Sequence, residues 1–306
     1  MVAKGAFNAD ASRKTREMQI ALMDSTVWNT FHFRSDDIVI ATYAKAGTTW
    51  MQQIVAQLVF DGAESIDVQA ISPWLETRNG SAADKIILLE AQRHRRFIKT
   101  HLPADALLMS PEARYIYVAR DGRDVVWSMH NHHLQLKDEM FQLVNAGLPP
   151  GAKPFPRPDL ELVPYFRRWL ETGGEPWWPF WEHIRTWWAL RHAANVHVVH
   201  FNDLKRDLGS EIGRIADFLD VRLEPAILER VEARCTFAYM KQHAERFSPG
   251  GGSRLKGGAS SFINQGTNGR WRDMLSRGDI ERYEATARSE LGEACARWLA
   301  NGGSTD

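Results

Sequence analysis

Apolar runs and amphipathic stretches alternate along the chain in a way that predicts parallel strands separated by helices. Asp37 to Tyr43, Arg96 to Thr100, Arg114 to Ala119 and Val196 to Phe201 are short, largely apolar runs, as strands covered on both faces are. From Thr48 onward, Met51, Ile54, Val55 and Leu58 recur at helical spacing. Leu208, Ile212, Ile215, Ala216 and Leu219 form a second stripe, and Ile280, Tyr283, Ala287, Leu291, Ala294 and Trp298 a third. This order implies an α/β fold, a parallel sheet flanked by helices on both faces. Ligands of such sheets sit beyond the carboxyl ends of the strands, where Lys45, His101 and Arg120 are expected to emerge.

Two stretches break the pattern. Leu148 to Asp159 carries five prolines and reads as a loop. Ser248 to Ser261 carries five glycines with Arg254 and Lys256, and is expected to belong to a mobile flap over residues 248–271. Between them lie Phe166, Trp169, Trp177, Trp178, Phe180, Trp181, Trp187 and Trp188. Trp181, Trp187 and Trp188 fit a core-facing helix, whereas Trp177 and Trp178, beside Pro176 and Pro179, are expected to line a pocket or its lid.

The first strand runs into Thr42-Tyr-Ala-Lys-Ala-Gly-Thr-Thr-Trp50, which joins a glycine turn, two hydroxyls and a helix start. The first amides of a helix are unpaired and its dipole favours anions, so the turn is suited to phosphate, with Lys45 as a cation and Thr48 and Thr49 as hydroxyl donors. An ordinary strand-to-helix turn accounts for Gly47 but not for the lysine and paired threonines together. The nucleoside-triphosphate loop requires a lysine just before the hydroxyl residue, and Gly47 stands there instead.

Composition narrows the setting. The 306 residues, 44% hydrophobic and 25% charged, suit one domain over 1–306 with an N-terminal extension over 1–30. Basic and acidic residues number 38 each, so no global field draws the chain to nucleic acid or to an anionic membrane. Cys235 and Cys295 are too few for a disulfide framework and suit reduced thiols in a cytoplasm. No run approaches the ~20 apolar residues that span a bilayer.

The 42–50 segment resembles the Tyr-Pro-Lys-Ser-Gly-Thr-Thr-Trp loop of cytosolic-type sulfotransferases, which holds the 5′-phosphosulfate of 3′-phosphoadenosine 5′-phosphosulfate (PAPS). Phe97-Ile-Lys-Thr-His-Leu-Pro103, Tyr115 to Ser128 and Phe262 to Trp271 are similar to further segments of that family, in the same order. The resemblance implies that His101 is the catalytic base and that Arg120 and Ser128 hold the 3′-phosphate. Lys45 is expected to neutralise the departing oxygen, with Lys99 supporting either group. Donor contacts are implied at Lys45, Ala46, Gly47, Thr48, Thr49 and Trp50. Around the adenine they fall on Trp50, Phe201, Cys235, Thr236, Phe237 and Met240, where Phe201 replaces a tyrosine and Cys235 a common threonine. The covering segment contributes Phe262, Ile263, Asn264, Gln265 and Gly266. Here the family commonly has Arg-Lys-Gly, so two cations are missing, and Arg270 or Arg272 is expected to compensate.

The implied activity is direct, in-line transfer of a sulfuryl group from PAPS to the hydroxyl of a small phenolic or hydrophobic alcohol, releasing 3′,5′-bisphosphoadenosine (PAP) without a metal. A catalytically weak PAP- or PAPS-binding homologue and a small-molecule kinase are the alternatives. His130 and His133 share metal-ligand spacing but lack an apparent third ligand, and the resemblance turns one of His130, His132 and His133 toward the acceptor. The family's dimer motif keeps its two ends as Arg272 and Glu281 but loses its apolar centre at Ser276-Arg277, leaving monomer and homodimer both open.

Overall fold

The computed structural model describes residues 13–305. Its sheet has four strands, β1 (Ile38–Thr42), β2 (Phe97–Thr100), β3 (Arg114–Ala119) and β4 (Val196–His200), in the order β2-β1-β3-β4. All pairings are parallel, with Ile40 opposite Lys99 on one side and Ile116 on the other. Alternation along β1 divides the core in two. Val39 and Ala41 pack with Trp28, Tyr117, Trp169 and Trp187 on one face. Ile38 and Ile40 pack on the other with Met51, Ile54 and Val55 of the Thr48–Val59 helix and with Ile212 and Ile215 of the Leu208–Phe218 helix. Helices therefore cover both faces, which is why the strands read as apolar throughout.

Three local expectations change. Phe201 does not end β4 but opens a short helix, Phe201–Arg206, because the His200 imidazole accepts the Asn202 amide proton at 3.1 Å and caps it. Ala294 is exposed, although the third stripe placed it inward. Gly292, with φ 76° and ψ 163°, interrupts the Arg277–Asn301 helix and shifts its phase, so Cys295 and Ala296 turn inward instead. The glycine-rich stretch folds into two short turns, Pro249–Gly252 and Gly258–Phe262, tied to the end of the Gly122–Gln135 helix by Lys137 N to Arg254 O at 3.1 Å and Lys256 N to Gln135 O at 2.8 Å. Among the described residues no helix is long and apolar enough to cross a membrane.

A buried ion pair anchors the entry to β1 and β2. Arg96 donates to both carboxylate oxygens of Asp37, at 2.7 and 2.6 Å, and to the His32 carbonyl, and neither side chain is exposed. Removing one member strands the other charge in the core, so Arg96→Leu should destabilise the fold by about 3–5 kcal/mol in urea unfolding. A loss below about 1 kcal/mol would show that water reaches Asp37.

Candidate functional site

The turn after β1 is shaped to receive an anion. Gly47 takes φ 118°, and a Cβ there would sit 3.0 Å from the Phe201 ring, so the turn closes on that ring only with glycine. Lys45 also holds a left-handed backbone, φ 63°, which costs roughly 1–2 kcal/mol outside glycine. Among the described residues the amides of Gly47, Thr48, Thr49 and Trp50 find no protein acceptor. Burial, then the charges of Arg120 and Lys99, bring the Lys45 ammonium down to about 8. Four free amides, a helix dipole and a desolvated cation all favour bound negative charge.

His101 follows β2 and faces this turn. Its Nδ1 lies 2.7 Å from the Thr42 carbonyl, which can only accept, so Nδ1 carries the proton. Nε2 has no protein partner among the described residues and keeps its lone pair. The Thr42 hydroxyl, 3.2 Å from Nδ1, also meets the Thr48 hydroxyl at 2.5 Å, linking imidazole to phosphate turn. Trp74 and Trp178 flank the ring at 4.8 and 5.6 Å. Burial and the nearby Lys99 charge hold the imidazole well below its usual range, against the pull of the Thr42 carbonyl. It is neutral at pH 7.

Glu76 escaped the sequence reading. Its carboxylate is 1% exposed and accepts from the His101 amide at 2.7 Å, the Thr100 hydroxyl at 3.0 Å, and the indoles of Trp74 at 2.6 Å and Trp28 at 3.0 Å. Burial raises its pKa against these donors. Lys99, brought down to about 8 by burial and partly restored by Glu76, lies with its amine 5.4 Å above the Trp74 ring. The stretch containing Glu76 lies beside β2 through Lys99 N to Pro73 O at 3.1 Å, a contact no local spacing signals.

One cavity of about 760 Å³ gathers the expected site. Lys45, Gly47, Thr48, Thr49, Trp50, Lys99, His101, Arg120, Ser128, Phe201, Phe237, Met240, Phe262, Ile263, Asn264, Gln265, Gly266 and Arg270 all line it. Three expected contacts fall outside its wall. The Ala46 methyl and the Cys235 thiol are buried in the two cores, and the Thr236 hydroxyl caps the Phe237–Gln242 helix by accepting from Tyr239 N. Cys235 bears on the cavity only through its carbonyl, which accepts from the Trp50 indole at 2.7 Å.

A family model described as a sulfotransferase domain matches residues 35–295. The chain belongs to the sulfotransferase family. It is 28% identical over 301 residues to a glycolipid sulfotransferase of Mycobacterium tuberculosis, covering 90% of this chain and 92% of that one. To human sulfotransferase 1C2 it is 26% identical over 270 residues, 85% of each. In fold it is similar to mouse sulfotransferase SULT7A1 complexed with PAP, with a TM-score of 0.69, 18% identity and coverage of 90% and 92%. Retinol dehydratase in complex with androsterone and PAP is similar at a TM-score of 0.66, with 22% identity and coverage of 88% and 84%. The chain is accordingly a PAPS-dependent sulfotransferase.

Just after β3 of this sulfotransferase, Arg120 stacks on Phe201 at 4.3 Å and donates to Asn268 Oδ1, Thr267 O and Lys45 O. Gly266 has φ 62°, and a Cβ there would meet the Phe237 ring at 2.5 Å, so the covering segment lies flat on that ring. Asn264 and Gln265 are exposed. Of the two arginines expected to compensate, Arg270 lines the cavity over Trp127 at 4.7 Å, whereas Arg272 is exposed, lies against Trp271 and is absent from the wall. Lys205, unnoticed in the sequence, also lines the cavity and donates to Gly266 O at 2.6 Å.

The histidines separate by orientation. His130 and His133 bond the carbonyls of Asp159 and Pro156 in the proline-rich loop, at 3.0 and 2.9 Å, while His132 lines the cavity. Among the described residues no three His, Cys, Asp or Glu side chains are grouped to hold a metal.

Lys45 and Lys99, each near 8, are charged below that pH and neutral above it. PAP affinity, measured calorimetrically on the free enzyme, should be level from about pH 7 to 7.5. It should then weaken as pH rises through about 8, by up to ~10-fold per unit for each lysine required. Lys45→Met should flatten that fall, and an affinity level to about pH 10 would show that neither ammonium meets the nucleotide.

Proposed function

We propose that the protein transfers the sulfuryl group of PAPS in line to a hydroxyl on an apolar acceptor, with His101 as base. The observation that carries this is the His101 bond to the Thr42 carbonyl, which leaves a neutral Nε2 lone pair open to the cavity that contains the phosphate turn. PAPS supplies the activated sulfuryl group, with PAP as its leaving group. His101 Nε2 takes the acceptor proton as the hydroxyl oxygen closes on sulfur. The Lys45 ammonium meets the charge that develops on the departing phosphate oxygen. Lys99, beside Glu76, supports it, and Arg120 and Ser128 hold the 3′-phosphate. The wall of Trp74, Trp177, Trp178 and Phe155 favours a ring or chain over a bare saccharide, since it offers area and few polar partners. The name of the mycobacterial relative, a glycolipid enzyme, accords with an apolar acceptor body.

A second reading, a weak homologue that senses PAP, draws on Asn264 and Gln265, which cannot offset phosphate charge. Turnover of the His101→Ala variant decides between them: kcat should fall by ~10²–10⁴ while PAP affinity holds. Near-normal turnover would remove His101 as base, and absence of turnover in the parent protein with any phenol, steroid or saccharide would favour the sensor.

Arg270 supplies cationic charge that Asn264 and Gln265 lack. Its fork suits a phosphate, and its stacking on Trp127, next to Ser128, holds it by the expected 3′-phosphate contacts. Arg270→Ala should weaken PAP by ~10-fold or more and adenosine 5′-phosphosulfate, which lacks the 3′-phosphate, far less. Equal losses would make Arg270 a support of the covering segment only.

A further inference from the structure

The cavity wall is strongly asymmetric in charge. Eight of its side chains are Lys or Arg, and Asp124 is the only acid among its described lining residues. That carboxylate already accepts from Gly269 N at 2.7 Å. The phosphate turn and nucleotide end account for most of these cations. Arg78, Lys85 and Arg254 lie elsewhere, around a lobe walled by Leu22, Met140, Phe155 and Leu255.

Their environments differ. The Lys85 amine donates to Thr77 O at 2.5 Å and Leu75 O at 3.4 Å and lies in the field of Glu76, so it serves the chain itself. Arg78 donates to the Gly147 carbonyl and stands 3.8 Å from Asp24. Arg254 is held by its backbone, whose carbonyl accepts from Lys137 N at 3.1 Å, and by its neighbour Leu255, buried among Ala21, Leu136, Phe141 and Phe155. The residue is partly buried and lines the cavity, and its guanidinium makes no hydrogen bond or ion pair with any described residue. An unpartnered guanidinium beside an apolar lobe is complementary to an anionic group at the end of an apolar body.

We propose that the acceptor is an anionic amphiphile, with a carboxylate remote from the hydroxyl that is sulfated, and that Arg254 selects it. This rests on the sulfotransferase reading above, with Arg254 at the opposite end of the acceptor from His101. Nothing in the transfer step changes: the hydroxyl proton still passes to His101, and the carboxylate stays intact.

The test uses the PAP-loaded full chain with 12-hydroxydodecanoate and its methyl ester, a pair that differs in charge at the far end only. Binding is read by tryptophan fluorescence, since Trp177 and Trp178 line the cavity, and transfer is read with PAPS. The anion should bind at least ~10-fold more tightly than the ester, and Arg254→Gln should erase that ratio while PAP binding persists. Lys256→Gln, an exposed neighbour outside the cavity wall, should preserve the ratio. Equal binding of acid and ester, a ratio that survives Arg254→Gln, an equal loss in Lys256→Gln, or sulfation of a phenol with neither probe bound would each overturn the proposal. Discrimination between the probes without transfer to any hydroxyl would instead fault the catalytic reading and leave the anion site standing.

Discussion

The site depends on what happens at the end of β1, where one residue serves two neighbours. Thr42 offers its carbonyl to His101 Nδ1 and its hydroxyl to Thr48, so the His101 imidazole and the Gly47 turn are positioned by the same strand terminus. Parallel pairing makes this possible: Ala41 lies opposite Thr100, and the residues that follow both strands leave the sheet side by side. The imidazole is thereby fixed in tautomer as well as in place. Burial favours the neutral form, the form a base requires, and the Thr42 carbonyl selects which nitrogen is free.

Beneath this arrangement Glu76 acts as a buried acceptor hub. A carboxylate with no exposed surface to speak of is costly unless its oxygens are occupied, and four donors from the His101 amide, Thr100, Trp74 and Trp28 occupy them. The hub joins the Trp28 indole, the pocket wall and the His101 backbone. Its charge also keeps Lys99 closer to the protonated state than burial alone would allow.

Much of this was legible in the sequence because the residues concerned are local to motifs. The strand runs, the Gly47 turn and His101 depend on spacing along the chain, and the fold preserves that spacing. Contacts across long separations were not legible. Glu76 meets His101 because the chain at Trp74 runs beside β2, Lys205 reaches Gly266 from a different helix, and Asn268 reaches Arg120 from a segment far along the chain. A segment match does not carry over side chain by side chain. Cys235 and Thr236 border the site in sequence, yet one is core and the other a helix cap. Ala294 failed for another reason, since a stripe extrapolated through Gly292 assumes a helix phase that the glycine resets.

The Arg120 guanidinium ties the end of β3 to the segment around Thr267 and Asn268. Four hydrogen bonds to Asn268, Thr267 and Lys45 occupy most of its five N–H donors, so little capacity remains for a second bidentate partner. Under the proposed 3′-phosphate contact, the phosphate would exchange places with the Asn268 carboxamide. Asn268 is itself bonded to Asn202, at the start of the helix after β4. On that reading Asn268 would compete with the nucleotide for the arginine. Such an exchange would trade equilibrium affinity for a ready partner when the product leaves.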